Sequence, residues 1–334
     1  MLIYTLSDFD YNLPEELIAQ SPAHPRDHAK LLVYNRETGE IVDDVFYNLG
    51  NHLPKDSTLV VNNSKVEKCR LIFDEGKREL FVTSVRNNNT IEALVRPGKK
   101  FRLEKKVELV DGITAEVTHV AKDGLRTMIL SCNLDDPRLE PYKYTPFPPY
   151  IAQDESLAGE YQTVYAKDLG SKAAPTAGLH FTEDLLESLQ KQGIEKEEVT
   201  LHVGLGTFAP VKTENIQEHD IHSEWYHLTK ETSEALNNAQ HLTAVGTTSV
   251  RVLESVANAE GILCAGFGDT KIYITPGYRY KRVNALITNF HLPKSTLLML
   301  VSAFMGFDEM KRIYEHAIAK KYRFYSFGDA MLIL

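Results

Sequence analysis

The sequence predicts a mixed α/β protein with an antiparallel β module set into it. Three observations carry this reading. Short alternating runs replace helical periodicity between about residues 65 and 150, strand and helix patterns alternate after about residue 160, and a proline-rich stretch, PYKYTPFPPY, divides the two regimes. At 334 residues the chain exceeds what one compact core usually organises, so about two domains are expected.

Taken in order, the first 63 residues offer a helix at Pro14 to Gln20 and strands near Leu31 and Leu59, all of which belong with the later α/β pattern. The β module then begins. ELFVTSV places Leu80 and Val82 on one face, IEALV repeats the alternation with Ile91, Ala93 and Val95, and VELV, ITAEV and LRTMIL follow. Asn87 to Asn89, Pro97-Gly98, Asp111-Gly112 and Asp123-Gly124 punctuate these runs, the last two as hairpin turns. A small antiparallel barrel or sandwich fits this spacing. Pro141, Pro146, Pro148 and Pro149 then impose an extended connector.

Beyond the connector, a strand is expected at Tyr161 to Tyr165 and a helix at Thr182 to Gln192, with Thr182 as N-cap, Glu183 and Asp184 in its first turn and Gly193 closing it. VTLHV is the next strand. A helix from Lys230 to Gln240, a strand at Leu242 to Val245, a helix opening at Gly246, a strand at Asn284 to Thr288 and two C-terminal helices complete the α/β pattern.

Composition excludes several functional classes. With 43% hydrophobic and 25% charged residues the chain reads as globular, and no apolar run approaches the roughly 20 residues that span a bilayer. The first residues show no signal-peptide pattern, so a cytoplasmic setting is expected. The three cysteines, Cys69, Cys132 and Cys264, have no C-x-x-C spacing, and no metal site is expected from them. A net charge of −9 argues against wholesale coating of nucleic acid. Cations nevertheless cluster at Lys99, Lys100, Arg102, Lys105 and Lys106, at Arg279, Lys281 and Arg282, and at Lys320, Lys321 and Arg323.

Four segments combine chemistry-bearing side chains with strand ends or helix N-termini, where α/β proteins place their ligands. AAPTAGLHFT supplies Pro175, Thr176 and Gly178 as small neighbours of a close backbone approach, and His180 as a candidate general base. LHVGLGTF carries His202, then Gly204 and Gly206, with Thr207 and Phe208 as candidate lining of a nucleoside pocket. Gly-x-Gly alone is equally a strand-end turn. VGTTSVRVLES sets Thr247 and Thr248 at a strand-to-helix junction, suited to hold a carboxylate or ribose hydroxyls, with Arg251 one turn further in. TNFHLPKSTLLMLV opens from Asn289, His291, Lys294 and Ser295 directly into an apolar helix, so titratable and cationic groups meet free helix N–H groups.

Together with DFDYNLPEELIAQSPAHPRDHAKLLV, TPFPPYI, YQTVYA, HSEWYHL, YITPGYRY and YRFYSFGDAMLI, these segments resemble, in order and over most of the chain, the sequence blocks of the S-adenosylmethionine:tRNA ribosyltransferase-isomerase family. The resemblance implies a large mixed α/β catalytic domain, residues 1–63 and 154–334, and an inserted small antiparallel β-barrel domain, residues 64–153. It implies transfer and isomerisation of the ribosyl part of S-adenosylmethionine onto 7-aminomethyl-7-deazaguanine at the tRNA wobble position, giving epoxyqueuosine with release of adenine and methionine. S-adenosylmethionine is then a co-substrate, with no permanently bound cofactor and a monomer as the expected state. The chain departs from the family at NNSKVEKCRL, where the pattern N-D-T-[KR]-V-x-P-A-R-L is usual, and FDEGKREL lacks a Thr-Gly-Gly element. No role for Asn63 or Ser64 is therefore carried over.

For that reaction, a sulfonium acidifies the neighbouring 5′ carbon, so a base must remove a proton there before adenine leaves. The tRNA amine then attacks, and closure expels methionine. His180 is the favoured base, with His202 and His291 as the other titratable candidates. Lys294 and Arg251 act as electrostatic groups, Thr247, Thr248 and Arg251 hold the methionine carboxylate, and Asn289 and Ser295 bind substrate. Two competing readings remain: an S-adenosylmethionine-dependent methyltransferase, for which the third glycine of the usual fingerprint is missing, and a non-catalytic tRNA-binding protein.

Overall fold

A computed structural model describes residues 4–204, 206 and 211–334. The chain divides into two compact units: one runs to Lys65 and resumes at Pro148, and the other is Val66–Phe147.

The first unit is built on a nine-stranded mixed sheet. Its centre is four parallel strands, in the spatial order Glu195–Leu201, Ser57–Asn62, His241–Val245 and Ala285–Asn289. Glu224–Leu228 and then Gly266–Thr270 extend one side antiparallel. On the other side lie Ala330–Ile333, Lys30–Tyr34 and Ile41–Val45. Period-2 alternation explains why both faces are covered. Leu31, Val33, Leu59 and Val61 pack into one apolar cluster with Leu185 and Leu189, while Leu32, Tyr34 and Val60 pack into the other with Val250, Leu253 and Leu298.

Five α-helices accompany the sheet among the described residues: α1 Glu183–Lys191, α2 Lys230–Asn238, α3 Gly246–Val256, α4 Thr296–Met305 and α5 Phe307–Ala319. The hydroxyls of Thr182, Thr229 and Ser295 accept from the backbone N–H groups of Leu185, Thr232 and Leu298 at 3.1, 3.1 and 3.2 Å, which fixes where α1, α2 and α4 begin. α3 is buried on almost every side, including Arg251 and Glu254. Gly246 enters it at φ +85°, a conformation that favours glycine.

The second unit is one antiparallel sheet of seven strands, in the order Lys143–Tyr144, Arg70–Phe73, Arg78–Asn87, Thr90–Arg96, Arg126–Leu130, Ile113–Val120 and Lys106–Val110. Asp111 and Gly112 both take positive φ, as a two-residue hairpin between Lys106–Val110 and Ile113–Val120 requires. Leu80, Val82, Ile91, Ala93, Ala115, Val117 and Met128 form its core. Register shifts at Val82/Ser84 and Thr127/Met128 are the kind of irregularity that curls a sheet. Lys143–Tyr144 and Lys106–Val110 each pair on one side only, so the ladder ends at two edges instead of closing into the expected barrel.

Other expectations are corrected. Tyr161 to Tyr165 is not a strand: Tyr161 and Thr163 are buried singly from an irregular loop, and their alternation mimics a strand. Pro14 to Gln20 forms only a 3-10 turn, Glu15–Leu17, after which Ile18 bridges to Phe324. Pro141 lies inside a 3-10 helix, Pro137–Tyr142, instead of an extended connector.

Candidate active site

The four parallel strands end on one edge of the sheet, so Asn63-Ser64, His202-Val203-Gly204, Gly246-Thr247-Thr248 and Phe290-His291 emerge there together. A cleft opens at that edge, with about 680 Å³ of unfilled space, part of it continuous with solvent. Three of the four segments singled out above supply most of its wall: Pro175 and Thr176, then Thr247 and Thr248, then Asn289, His291 and Ser295. Thr288 of the last segment and Val203 of the remaining one also line it, with Tyr150, Tyr325 and Ser326 from outside the four.

His291 is the candidate histidine that lines the cleft. Thr288 Oγ1 lies 2.8 Å from its Nε2, leaving Nδ1 as the nitrogen open to a ligand. Its main chain is held on both sides: the N–H donates to Tyr314 Oη at 3.0 Å, and its carbonyl accepts from Tyr11 Oη. Asn289 links two segments, because Thr176 Oγ1 donates to its Oδ1 (3.1 Å) while its Nδ2 donates to His180 Nε2 (3.1 Å). His180 therefore stands behind Asn289, packed on Phe46, and is absent from the cleft lining.

Thr248 Oγ1 is buried in the cleft wall with no hydrogen-bond partner among the described residues. Ser295 is spent on structure, donating to the Leu292 carbonyl (2.7 Å) while it caps α4. Gly178 does bring backbone close to a neighbour, but the neighbour is protein: a Cβ there would fall against Tyr165 Oη and Thr163 Cγ2.

The remaining candidates lie elsewhere. Lys294, at φ +57°, is half-exposed and pairs with Asp10 at 2.7 Å. His202 stacks on Trp225, with ring centroids 5.0 Å apart, and its Nδ1 is 2.8 Å from Ser64 Oγ. Gly206 and Arg251 line a second, smaller cavity, and Gly204 donates its N–H to Glu224 Oε1 in the same region (2.8 Å). Thr207 and Phe208 lie outside the described residues. Tyr11, Thr288 and Glu224 were not singled out from the sequence, where only their place within the blocks DFDYNLP, TNFHLPKS and HSEWYHL marked them, and Tyr314 lies in none of the blocks.

A profile of the family described as queuosine biosynthesis protein matches residues 6–333. The chain belongs to the queuosine biosynthesis family. Curated relatives named S-adenosylmethionine:tRNA ribosyltransferase-isomerase include those of Desulfitobacterium hafniense, 47% identical over 98% of this chain and 99% of the relative, and of Moorella thermoacetica, 48% identical over the same shares. A crystal structure of S-adenosylmethionine tRNA ribosyltransferase from Thermotoga maritima is 37% identical, covers 98% of this chain and 100% of its own, and superimposes with a TM-score of 0.57.

In this queuosine biosynthesis family member, no cluster of three or more His, Cys, Asp or Glu side chains suited to a metal ion occurs among the described residues, and no helix there is long and apolar enough to cross a membrane. Burial pushes the imidazoles of His180 and His291 from 6.5 down to about 3, with the charges of Arg323 and Arg26 adding to the effect at His180. Both rings are neutral at pH 7. The unfolded chain takes up these protons near pH 6.5 and the folded chain does not, so their stabilisation is complete above pH 6.5 and is lost as pH falls toward 3. Calorimetry is expected to show a melting temperature that declines as the buffer is taken from pH 6.5 to pH 4, with a shallower decline in His180→Asn; a flat profile contradicts the assignment.

Proposed function

We propose that this chain transfers and isomerises the ribosyl part of S-adenosylmethionine onto 7-aminomethyl-7-deazaguanine at the wobble position of tRNA, releasing adenine and methionine and leaving epoxyqueuosine. One observation carries the reading: in a chain 47–48% identical to proteins bearing that activity in their names, segments far apart in sequence gather around a single strand-end cleft.

His291 acts at the reacting atoms. In the tautomer that donates Nε2–H to Thr288 Oγ1, its Nδ1 is an unprotonated acceptor for the acidified C5′ proton. Thr247 and Thr248 offer hydroxyls and helix N–H groups to the oxygens of the sugar, and His180 works through Asn289 by fixing that amide against Thr176. The segment 64–153 is the inserted domain of the enzyme, which works in the cytoplasm on tRNA.

Incubation with S-adenosylmethionine and precursor tRNA is expected to release free adenine and methionine in equal amounts. S-adenosylhomocysteine as product instead identifies a methyltransferase, and intact S-adenosylmethionine with bound tRNA identifies a binding protein.

The three basic clusters contribute unequally to RNA binding. Arg282 Nη2 donates to the carbonyls of Leu236 and Ala239 at 2.6 Å each, and Arg323 is tied to Asp329 at 3.2 Å and to the Ser21 carbonyl. Lys99, Lys100, Arg102, Lys105 and Arg279 are exposed. Affinity for tRNA is expected to fall as salt rises, with a slope of about −0.7 to −0.9 per phosphate contact. Replacing Lys99, Lys100 and Arg102 with Ala is expected to flatten that slope by about 2–3 in filter-binding assays; an unchanged slope removes this cluster from the RNA surface.

A further inference from the structure

We infer that the second cavity is a clamp for an α-amino acid zwitterion, in which Arg251 takes the α-carboxylate and Glu224 the α-ammonium of the methionyl end of S-adenosylmethionine. The inference rests on the reading of the chain as a user of that compound.

Arg251 and Glu224 are 6% and 4% exposed, and both line a small cavity partly open to solvent. Glu224 Oε2 accepts from Arg251 Nη1, and Oε1 accepts the Gly204 N–H. A buried ion pair kept for packing alone would leave no donor unmet. Here Arg251 Nε and Nη2 are buried and have no partner among the described residues. Those two nitrogens share one edge of the planar guanidinium, the fork that grips both oxygens of a carboxylate at once. A carboxylate alone would meet the neighbouring Glu224 charge. A ligand that also carries an ammonium resolves this, because it sets a positive charge against the Glu224 carboxylate.

The rest of the cavity suits the same molecule. Ile272, Ile274 and Leu300 give apolar walls for a short methylene chain. Leu297 lines both this cavity and the strand-end cleft, so the two are neighbours across one side chain at the start of α4. A ligand with its sugar in the cleft would therefore direct its amino acid toward this second cavity. Burial lowers the Arg251 guanidinium only to about 10, so it stays cationic at neutral pH.

Equilibrium dialysis with three compounds tests the clamp: S-adenosylmethionine, its decarboxylated form, which keeps the ammonium, and 5′-methylthioadenosine, which lacks the amino acid. Wild type is expected to prefer S-adenosylmethionine over the decarboxylated form by about tenfold to 100-fold, the usual weight of a charge-assisted bond. Arg251→Met is expected to abolish that preference while still binding 5′-methylthioadenosine. Glu224→Gln is expected to weaken both ammonium-bearing compounds together, relative to 5′-methylthioadenosine. Retention of the full preference in Arg251→Met overturns the clamp. Should that variant fail to bind 5′-methylthioadenosine, the near-isosteric Glu224→Gln decides: unaltered affinities for all three compounds overturn the inference. A wild-type chain that binds none of them overturns the underlying S-adenosylmethionine reading itself.

Discussion

Replacing His291 with Ala is expected to lower the rate of adenine release by ~10²–10⁴-fold, the range typical of a lost proton acceptor. Of the candidate histidines, His291 lines the cleft; its Nε2 is engaged by Thr288, and its peptide groups are gripped by Tyr11 and Tyr314, so Nδ1 is presented in one fixed direction. His180→Ala disturbs Asn289 and is expected to cost less, roughly tenfold to 100-fold, as for a misplaced contact. Single-turnover measurements with saturating S-adenosylmethionine separate the two. If His291→Ala turns over at the wild-type rate while His180→Ala does not, the roles are exchanged. Because the ring stays neutral down to about pH 3, kcat/KM should show no break near pH 6.5 from this group.

The same pair shows where sequence reading reached its limit. His180 and His291 both follow small or apolar neighbours near a helix start, and nothing within either segment distinguishes them. The distinction arises from contacts remote in sequence: Asn289, on the strand Ala285–Asn289, covers His180, and Tyr314, 23 residues after His291, holds the His291 peptide. Local signals did locate the helices, because Thr182, Thr229 and Ser295 act within three residues of themselves. They also located five of the seven strands of the β module, two of whose turns carry Asp-Gly, but not Arg70–Phe73 or Lys143–Tyr144. The strand Gly266–Thr270 was invisible for the opposite reason. GFGDT has two glycines and an aspartate, all poor strand formers, and only its pairing with Glu224–Leu228 makes it a strand. Ala330–Ile333 is a four-residue apolar run whose type is set by neighbours on both sides, Lys30–Tyr34 and Ala285–Asn289.

Glu254→Ala is expected to be among the most destabilising single substitutions in the chain, at about 3–5 kcal/mol. Glu254 is 1% exposed on α3, and its carboxylate gathers a loop 24 to 29 residues away. Oε2 accepts from Tyr278 Oη (3.0 Å) and the Lys281 N–H (2.9 Å), while Oε1 accepts from the N–H groups of Arg282 (3.1 Å) and Val283 (3.2 Å). A buried carboxylate is tolerable only with such a set of donors, and removing it strands three backbone N–H groups and a phenol. Those groups lead directly into the strand Ala285–Asn289, at the end of which Asn289 and His291 stand, so the loss reaches the cleft as well as the melting temperature. Glu254→Gln keeps an acceptor for Arg282 and Val283 but turns an N–H toward Lys281, and should fall between wild type and Ala. Urea titrations of the three proteins test the order. Equal midpoints for wild type and Ala, within about 0.5 kcal/mol, would mean that water replaces the carboxylate and that α3 does not hold this loop.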